Sequence, residues 1–364
     1  MKTIIALVTL SLAVLTSAQA MATPLVCAYK DIKLDEQINK TEAKAYYKKL
    51  EKECDYTKAM GRIASDLAAI KKPMNTLNYY QGLRYVDRYA YEKARKDNIP
   101  LNVVFQIKKE DYDVPVAQRS HLVWNNWTAG INTIPQYKQA LLSGEAFTVD
   151  MFLSIHKTFY TQDESGEYGQ VYSPGKLKNP NTPEISWPIK DHASDIKANL
   201  DIVNQMYLEL GLQPAISKDG VGFNQIIMAT ETDLKPSHPA YIRTHLKILA
   251  NLVENMVQNI RDHRPLIWNG HVFTPIEFAL FAQQTVVRIH GFYDGNGRMS
   301  RYLQDLILDM FDMPFIASGD LYADDMTSPL EDYYEKAMKS NSQQIDALES
   351  CRNNSSNFNC ETIH

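Results

Sequence analysis

The sequence predicts a mainly α-helical protein, and two observations favour that class. The region from Lys30 to about Asn98 is rich in Lys, Glu, Ala, Tyr and Leu and poor in Gly, a composition typical of several helices. Helical patterning returns later in four stretches, Ala193–Leu210, Ala240–Ile260, Pro275–His290 and Arg298–Phe311. With 364 residues, of which 45% are hydrophobic and 22% charged, the chain has an ordinary globular composition.

The first twenty residues have the three-part layout of a secretory signal. Lys2 precedes an apolar run over 4–15, and Ala18 and Ala20 supply the small residues of a cleavage site. The run is shorter than the roughly 20 residues that span a bilayer, which argues against a membrane anchor. We therefore expect residues 1–20 to be a signal peptide. The protein is expected to be exported, either periplasmic or secreted, with a eukaryotic secretory lumen as the alternative.

Four cysteines lie near the two ends of the chain, at Cys27, Cys54, Cys351 and Cys360. An even number of cysteines in an exported protein suggests disulfides, with three possible connectivities that the sequence does not distinguish. Their spacing lacks the paired clusters that zinc prefers, so we expect them to stabilise the terminal regions as disulfides rather than to bind metal.

Two stretches interrupt the helical pattern. A polar, proline-containing stretch at 108–115 is the best candidate for a domain boundary. The stretch Tyr168–Asp191 holds four prolines, which exclude a helix and predict an extended loop or a short hairpin.

The start of one late helix is strongly signalled. Thr274 is followed by Pro275 and then by Glu277, the pattern of an N-cap, a first-turn proline and a capping-box carboxylate. Further on, apolar residues recur at helical spacing and predict a second helix after the glycines of the intervening turn: Met299, Tyr302, Leu303, Leu306, Ile307 and Met310.

The charge balance argues against a nucleic-acid partner. The formal net charge is -5, so the chain lacks the general positive charge that neutralises DNA or RNA phosphates. We expect no nucleic acid among the main partners.

The turn between those two helices, within residues 290–301, has the features of a phosphate-binding site. Gly295 and Gly297 allow backbone N–H groups to face a ligand, and the N-terminus of the following helix supplies partial positive charge. Arg298 and Arg301 are three residues apart, so both project from nearly one helix face and can clamp phosphate oxygens.

Two further side chains of this motif fit phosphoryl transfer. Asp294 is a suitable oxygen ligand for Mg²⁺, which takes one or two carboxylates and completes its shell with phosphate and water. His290, at the edge of the anion site, can accept the proton of a hydroxyl that attacks phosphorus. Each residue alone could have an ordinary structural role, as a helix cap, a core residue or a solvated charge. Together they favour catalysis by positioning and charge stabilisation, and the motif is neither a Rossmann fingerprint nor a Walker loop.

The motif is similar to the signature of the Fic family at every fixed position: His290, Phe292, Asp294, Gly295, Asn296, Gly297, Arg298 and Arg301. Gly291 stands where many members have proline, at a position that varies in the family. The resemblance implies a mainly α-helical Fic-domain bundle with a short β-hairpin flap. It also implies ATP as donor, Mg²⁺ as cofactor, and transfer of AMP to a Ser, Thr or Tyr hydroxyl of a target protein.

The resemblance implies roles for the motif residues as well. His290 is the general base, Phe292 anchors the loop in the core, and Asp294 holds the metal. The remaining positions bind the nucleotide phosphates. Gly295, Asn296 and Gly297 form an anion hole, and Arg298 and Arg301 hold the phosphates.

The similarity extends beyond the motif. Phe147–Tyr160 resembles the helix before the family's flap, and the proline-rich stretch to Pro188 resembles the flap that pins the target segment. The resulting organisation is a signal peptide, an N-terminal helical region, a Fic domain and a C-terminal tail, at 1–20, 21–115, 116–342 and 343–364.

One regulatory element departs from the family pattern. Many Fic proteins carry an inhibitory helix, Ser/Thr-x-x-x-Glu-Gly/Asn, whose glutamate pairs with the second motif arginine. Here Ser120 and Asn125 fit, but Trp124 replaces the glutamate and cannot pair with Arg301. We expect an enzyme that this route does not restrain and that cannot reverse the modification, unless the match is accidental and Trp124 is a core residue. A second partial match keeps its glutamate, at Glu254.

Two alternatives stay open. Fic relatives also transfer UMP, phosphocholine or a bare phosphate, and nothing in residues 290–301 excludes these groups. In the second alternative, the protein is a binding module that holds a nucleotide or peptide without turnover, although complete retention of the motif argues against this. The target protein and the oligomeric state are not indicated by the sequence.

Overall fold

The computed structural model describes residues 23–34, 38–69, 126, 129–160, 174–181, 186–188, 193–212, 226–229, 233–316 and 324–353. Several predictions fall outside these ranges and are left as predictions: the signal peptide, the boundary at 108–115, Ser120, Trp124, Asn125 and Cys360.

The described chain is mainly α-helical, as predicted. Its helices are α1 (Leu25–Ala28), α2 (Lys40–Ala69), α3 (Ile134–Leu142), α4 (Val149–Thr158), α5 (Ala193–Glu209), α6 (Ile242–Arg261), α7 (Pro275–Ile289), α8 (Asn296–Met310), α9 (Asp324–Thr327) and α10 (Leu330–Asn353). Five short strands accompany them in these ranges: β1 (Trp187–Pro188), β2 (Ile227–Ala229), β3 (Asp233–Pro236), β4 (Leu266–Trp268) and β5 (His271–Phe273).

Helix α7 forms the centre of the protein. Every residue from Pro275 to Ile289 is buried, and α2, α6, α8, α9 and α10 all pack against it. Its start has the predicted capping box: the Glu277 carboxylate accepts from the Thr274 N–H at 2.9 Å, and the Thr274 hydroxyl accepts from the Glu277 N–H at 3.3 Å. The buried helix therefore begins without leaving its first N–H groups unsatisfied.

Helix α8 follows α7 after the turn 290–295 and packs along it. The predicted apolar stripe is confirmed, since all six of its side chains are at most 1% exposed. The helix begins slightly earlier than predicted, at Asn296 with Gly295 as N-cap, so Gly297 lies in its first turn.

The N-terminal helices are fastened to this core. Cys27 and Cys54 form a disulfide, which settles one pairing among the predicted connectivities and joins α1 to α2. The Val26 N–H donates to the Phe311 carbonyl at 3.3 Å, just after the end of α8. Lys49 on α2 binds Glu277 at 2.6 Å. The disulfide therefore holds α1 on α2, and two polar contacts connect this N-terminal region to the start of α7 and to the end of α8.

The strands form two small antiparallel sheets. The first has the order β1-β3-β2, with Trp187 opposite Leu234, and the second pairs β4 with β5. Thus the described strand of the proline-rich stretch pairs with a segment far along the chain rather than within that stretch. Where the stretch is described, an isolated bridge also pairs its Leu177 with Phe292 of the motif turn.

Two further observations concern the predicted organisation. Helix α10 runs without a break across the predicted boundary at Ser342, from Leu330 to Asn353. Among the helices described, none combines the length and apolar character that a membrane crossing requires.

Candidate functional site

His290 ends helix α7 in a left-handed backbone conformation, with φ 49° and ψ 47°. Its N–H still donates to the Val286 carbonyl at 3.1 Å, and its ring meets the Trp187 indole edge-on at a centroid distance of 5.0 Å. Burial, and then the charge of Lys178, lowers the pKa of His290 to about 3, against smaller opposing contributions from Val287 and Asp294. The imidazole is therefore neutral at neutral pH and able to accept a proton.

Lys178 holds the backbone around His290. Its ammonium group donates to the His290 carbonyl at 2.9 Å, and its own N–H donates to the Gly291 carbonyl at 2.9 Å. The residue is only 6% exposed, and this burial lowers its pKa to about 8. Lys178 thus holds the backbone at the end of α7 through both its main-chain N–H and its side-chain ammonium group.

Phe292 and Asn296 close the turn from inside. Phe292 is 1% exposed, and its ring stacks on that of His156, at 3.7 Å, and on that of Phe152, at 5.6 Å. The Asn296 side chain accepts from the Phe292 N–H and donates to the Phe292 carbonyl, both at 2.8 Å. The Asn296 amide therefore holds the turn closed, while its backbone N–H lies at the start of α8.

His156 joins the turn to two other elements. The Gly175 N–H donates to its Nδ1 at 3.0 Å, so the proton of the neutral ring is on Nε2, which donates to the Asp294 carbonyl at 2.9 Å. Burial is the main reason that the pKa of His156 falls to about 4. Helix α4, segment 175–178 and the motif turn therefore meet at one neutral ring.

The N-terminus of α8 presents backbone N–H groups to a ligand. Gly295 caps the helix with φ 76° and has no side chain to satisfy the first-turn donors. A Cβ at Gly295 would lie 2.3 Å from the Tyr160 hydroxyl, so only glycine fits there. The uncapped donors and the helix dipole together make this end of α8 suitable for an anion.

The two motif arginines flank that helix end. Arg298 binds the Asp294 carboxylate at 3.0 Å and lies over the Tyr160 ring, 4.8 Å from its centroid. The Arg301 Nη2 lies 3.2 Å from the place of a Cβ on Gly297, so its guanidinium crosses the open face of that glycine. The buried carboxyl of Asp325 attracts Arg301 electrostatically. Both guanidinium groups are thus held close to the helix N-terminus.

The residues of the turn fit a magnesium ion that is shared with phosphate. The Asp294 side chain is 46% exposed and only its Oδ2 binds Arg298, which leaves carboxylate surface for a metal. One carboxylate is enough for a bound Mg²⁺, because this ion usually completes its coordination with phosphate and water.

The structure brings all eight predicted motif residues into one turn and its adjoining helix ends. It does not support a role for Glu254 at Arg301, because Glu254 binds Arg261 at 3.0 Å and the Phe147 N–H at 2.6 Å. Four neighbours were not predicted as site residues: His156, Tyr160, Lys178 and Trp187. Their contacts with the turn join residues more than a hundred positions apart, and no local pattern marks them.

Solved structures with Fic domains resemble the chain at low sequence identity. Fic-1 from C. elegans (residues 134–508) is 15% identical, with a TM-score of 0.39, and the match covers 91% of this chain and 83% of that chain. A Fic-domain-containing signalling protein from Bacteroides thetaiotaomicron is 13% identical, with a TM-score of 0.41 and coverage of 79% and 97%. These scores are too low to support conclusions about function.

The sequence comparison is more specific because it includes the motif. Residues 219–308 run from just before β2 to the last turn of α8 and contain the whole turn that carries His290 and Asp294. This stretch matches the model of the Fic/DOC family, whose members are generally transferases of nucleotides or other groups onto proteins.

Proposed function

We propose that the protein is a Fic-type protein adenylyltransferase that moves AMP from ATP to a Ser, Thr or Tyr hydroxyl of a target protein. The observation that carries the proposal is the arrangement of the turn 290–295. A neutral imidazole lies at its start and an uncapped, positively polarised helix N-terminus lies at its end. A proton acceptor and an anion site are therefore held close together, as transfer to phosphorus requires.

In the proposed reaction the target hydroxyl oxygen forms a bond to the α-phosphorus of ATP. The bond from that phosphorus to the oxygen bridging to the β-phosphate breaks, and pyrophosphate leaves. His290 takes the hydroxyl proton. The N–H groups at the start of α8, with Arg298 and Arg301, stabilise charge on the phosphates. Magnesium bound at Asp294 would offset further phosphate charge.

The surroundings of His290 support an extended protein segment as the acceptor. Strand β1 lies at the edge of its sheet, and its Trp187 contacts the His290 ring. An extended chain can pair with such an edge through main-chain hydrogen bonds. This supports the predicted role of the proline-rich stretch to Pro188 as a flap that places the target hydroxyl beside His290.

The test is incubation of the mature chain with labelled ATP, UTP and CDP-choline, each with Mg²⁺, alongside His290→Ala. We expect label from ATP on the protein itself or on an added target, and none with His290→Ala. A matched control is His271→Ala, which removes a histidine from β5. This strand precedes the N-terminus of α7, the end opposite to His290.

Each other outcome decides between the alternatives. Label from UTP or CDP-choline alone would keep the mechanism and change the donor. Binding of ATP without transfer from any donor would favour a non-catalytic binding module. Label that survives in His290→Ala would contradict His290 as the general base.

We also propose that the protein works in an oxidising compartment after export. The Cys27–Cys54 disulfide supports this because disulfides are rare in reducing cytosol. Expression with the natural N-terminus should give a mature chain that starts after Ala20 and contains this disulfide. A full-length chain with reduced Cys27 and Cys54 would contradict export.

A further inference from the structure

His156 on α4 lies outside the motif but contacts it by both ring stacking and a hydrogen bond. It is 2% exposed, and its ring stacks on Phe292 at an interplanar angle of 6°. Its two ring nitrogens have different partners: Gly175 on one side and Asp294 on the other. A buried histidine with both nitrogens bonded to main-chain groups has no capacity left for substrate, so its effect must pass through those groups.

The two partners are special points of the backbone. Gly175 has φ 69°, and a Cβ there would lie 3.1 Å from the Leu153 carbonyl, so its conformation is fixed by close packing on α4. Asp294 directly precedes the helix N-cap, and its side chain is the candidate metal ligand. The place of a Cβ on Gly295 is 3.0 Å from the His156 Nε2. His156 therefore touches the backbone at the point where the anion site begins.

Segment 175–178 and the motif turn are in contact at two further points. Leu177 pairs with Phe292 in a bridge that includes the bond from the Lys178 N–H to the Gly291 carbonyl, and the Lys178 ammonium group donates to the His290 carbonyl. With His156 between Gly175 and Asp294, three links tie the two segments along their length. Without the imidazole, the Asp294 end would lose its hydrogen-bonded link to segment 175–178.

We propose that His156 is a positioning residue, a neutral bridge that holds the Asp294 end of the motif turn against segment 175–178 before any donor binds. The ring orders the backbone at the Asp294 carbonyl, and this backbone orients the α8 N–H groups and the Asp294 carboxylate. The functional consequence rests on the proposed transfer reaction, whereas the ordering of the turn does not.

Two substitutions separate the hydrogen bonds from the ring stacking. His156→Phe keeps an aromatic ring on Phe292 but removes both hydrogen bonds. In His156→Gln the side-chain amide can accept from the Gly175 N–H and donate to the Asp294 carbonyl, while stacking is lost. His271→Phe on β5 is the control for the same change of residue type away from the turn.

The first measurement is amide hydrogen exchange of the free protein. We expect faster exchange in peptides covering 291–297 for His156→Phe, and nearly wild-type exchange for His156→Gln and His271→Phe. The second is transfer from ATP. For His156→Phe, we expect kcat/KM to fall about 10–100-fold and the Mg²⁺ concentration for half-maximal rate to rise, as when a supporting group of a metal site is removed. His156→Gln should recover about tenfold or more of that loss.

The outcomes separate this inference from the proposed function. Unchanged exchange in His156→Phe, or equal losses of activity in both variants at equal melting temperatures, would overturn the positioning role. If His156→Phe does not fold, His156→Gln still decides, since a large loss of activity in it contradicts the role. Faster exchange in His156→Phe, together with a wild-type chain that transfers no group, would leave the bridge standing and contradict the proposed enzyme activity.

Discussion

The buried carboxyl group of Glu53 accepts a hydrogen bond from the hydroxyl of Thr274, the N-cap of the helix that ends at His290. Its other oxygen accepts from the Ile276 N–H at 3.1 Å. Glu53 belongs to α2, so the N-terminal helix and Glu277 together satisfy the start of α7. The N-terminal region is therefore expected to affect the site through the stability of α7.

The Glu53 carboxyl predicts a stability that decreases as pH rises. Burial raises its pKa from 4.5 to about 8, so between these values the unfolded chain has released a proton that the folded protein retains. The free energy of unfolding should then fall with rising pH, by at most about 1.4 kcal/mol per pH unit from this group. In Glu53→Gln this contribution disappears. The free energy of unfolding of the variant should therefore rise relative to that of the wild type from pH 5 to pH 8.

Urea unfolding at pH 5, 6.5 and 8 measures this difference. Glu51→Gln, at an exposed position on the same helix, is the control for the substitution. A difference between Glu53→Gln and wild type that stays constant across this range would show that Glu53 is already ionised at pH 5.

The Cys27–Cys54 disulfide predicts a stability that depends on redox state. The bond closes a loop with a sequence separation of 27, for which chain entropy gives about 3–4 kcal/mol. Reduction should lower the free energy of unfolding by up to this amount. The Cys27→Ser, Cys54→Ser double variant should have this lower free energy of unfolding even without a reductant.

Denaturant unfolding with and without a reductant checks the disulfide. The double variant keeps Cys351 and Cys360, so its response to reductant reports on those two alone. An effect of the reductant on the wild type that is no larger than its effect on the double variant would contradict a stabilising Cys27–Cys54 bond.

The local parts of the site were predictable from the sequence, because their determinants lie within a few residues of each other. The capping box of Thr274 and Glu277 and the stripe on α8 are such patterns, and both helices appear at the predicted places. The glycines and arginines of the motif likewise face one turn.

The contacts that bring other segments to the turn were not predictable in this way. His156 and Asp294 are 138 positions apart, and Lys178 and His290 are 112 apart. Such contacts depend on packing of the whole chain rather than on periodicity or propensity. Trp187 is similar, because its strand has only two residues and carries no alternating pattern that would predict a partner.

The environment of His290 predicts an unusual pH dependence of transfer. With its pKa lowered to about 3 by burial and the Lys178 charge, the ring is neutral far below the usual histidine range. The kcat/KM for ATP should therefore show no fall between pH 7.5 and 5.5 from a group of pKa near 6.5. Loss of the positive charge in Lys178→Met should move the acidic limb up by about 0.5–1 pH unit.

Profiles of kcat/KM against pH report on groups of the free enzyme, so they are the appropriate measurement. Lys178→Arg keeps the charge and is the matched control. Circular dichroism over the same range separates unfolding from protonation. A wild-type limb near pH 6.5, absent from the unfolding curve, would contradict the lowered pKa of His290.

Gly295 predicts a separation of activity from stability. An alanine there must adopt φ near 76°, and its Cβ would lie 2.3 Å from the Tyr160 hydroxyl and 3.0 Å from the His156 Nε2. The left-handed backbone alone costs about 1–2 kcal/mol. The clash additionally displaces the turn, so kcat/KM should fall about 100-fold or more, as expected for a shift of about 1 Å in the reacting groups.

Gly270 provides the control, because it has φ 81° in the β4–β5 turn and no atom within 4 Å of a Cβ placed there. Gly270→Ala should lose similar backbone stability while keeping kcat/KM close to wild type. Tyr160→Phe in the Gly295→Ala background removes the closest clashing atom and should restore part of the activity. Full activity in Gly295→Ala would show that the N-terminus of α8 tolerates a side chain and would contradict the expected displacement of the turn.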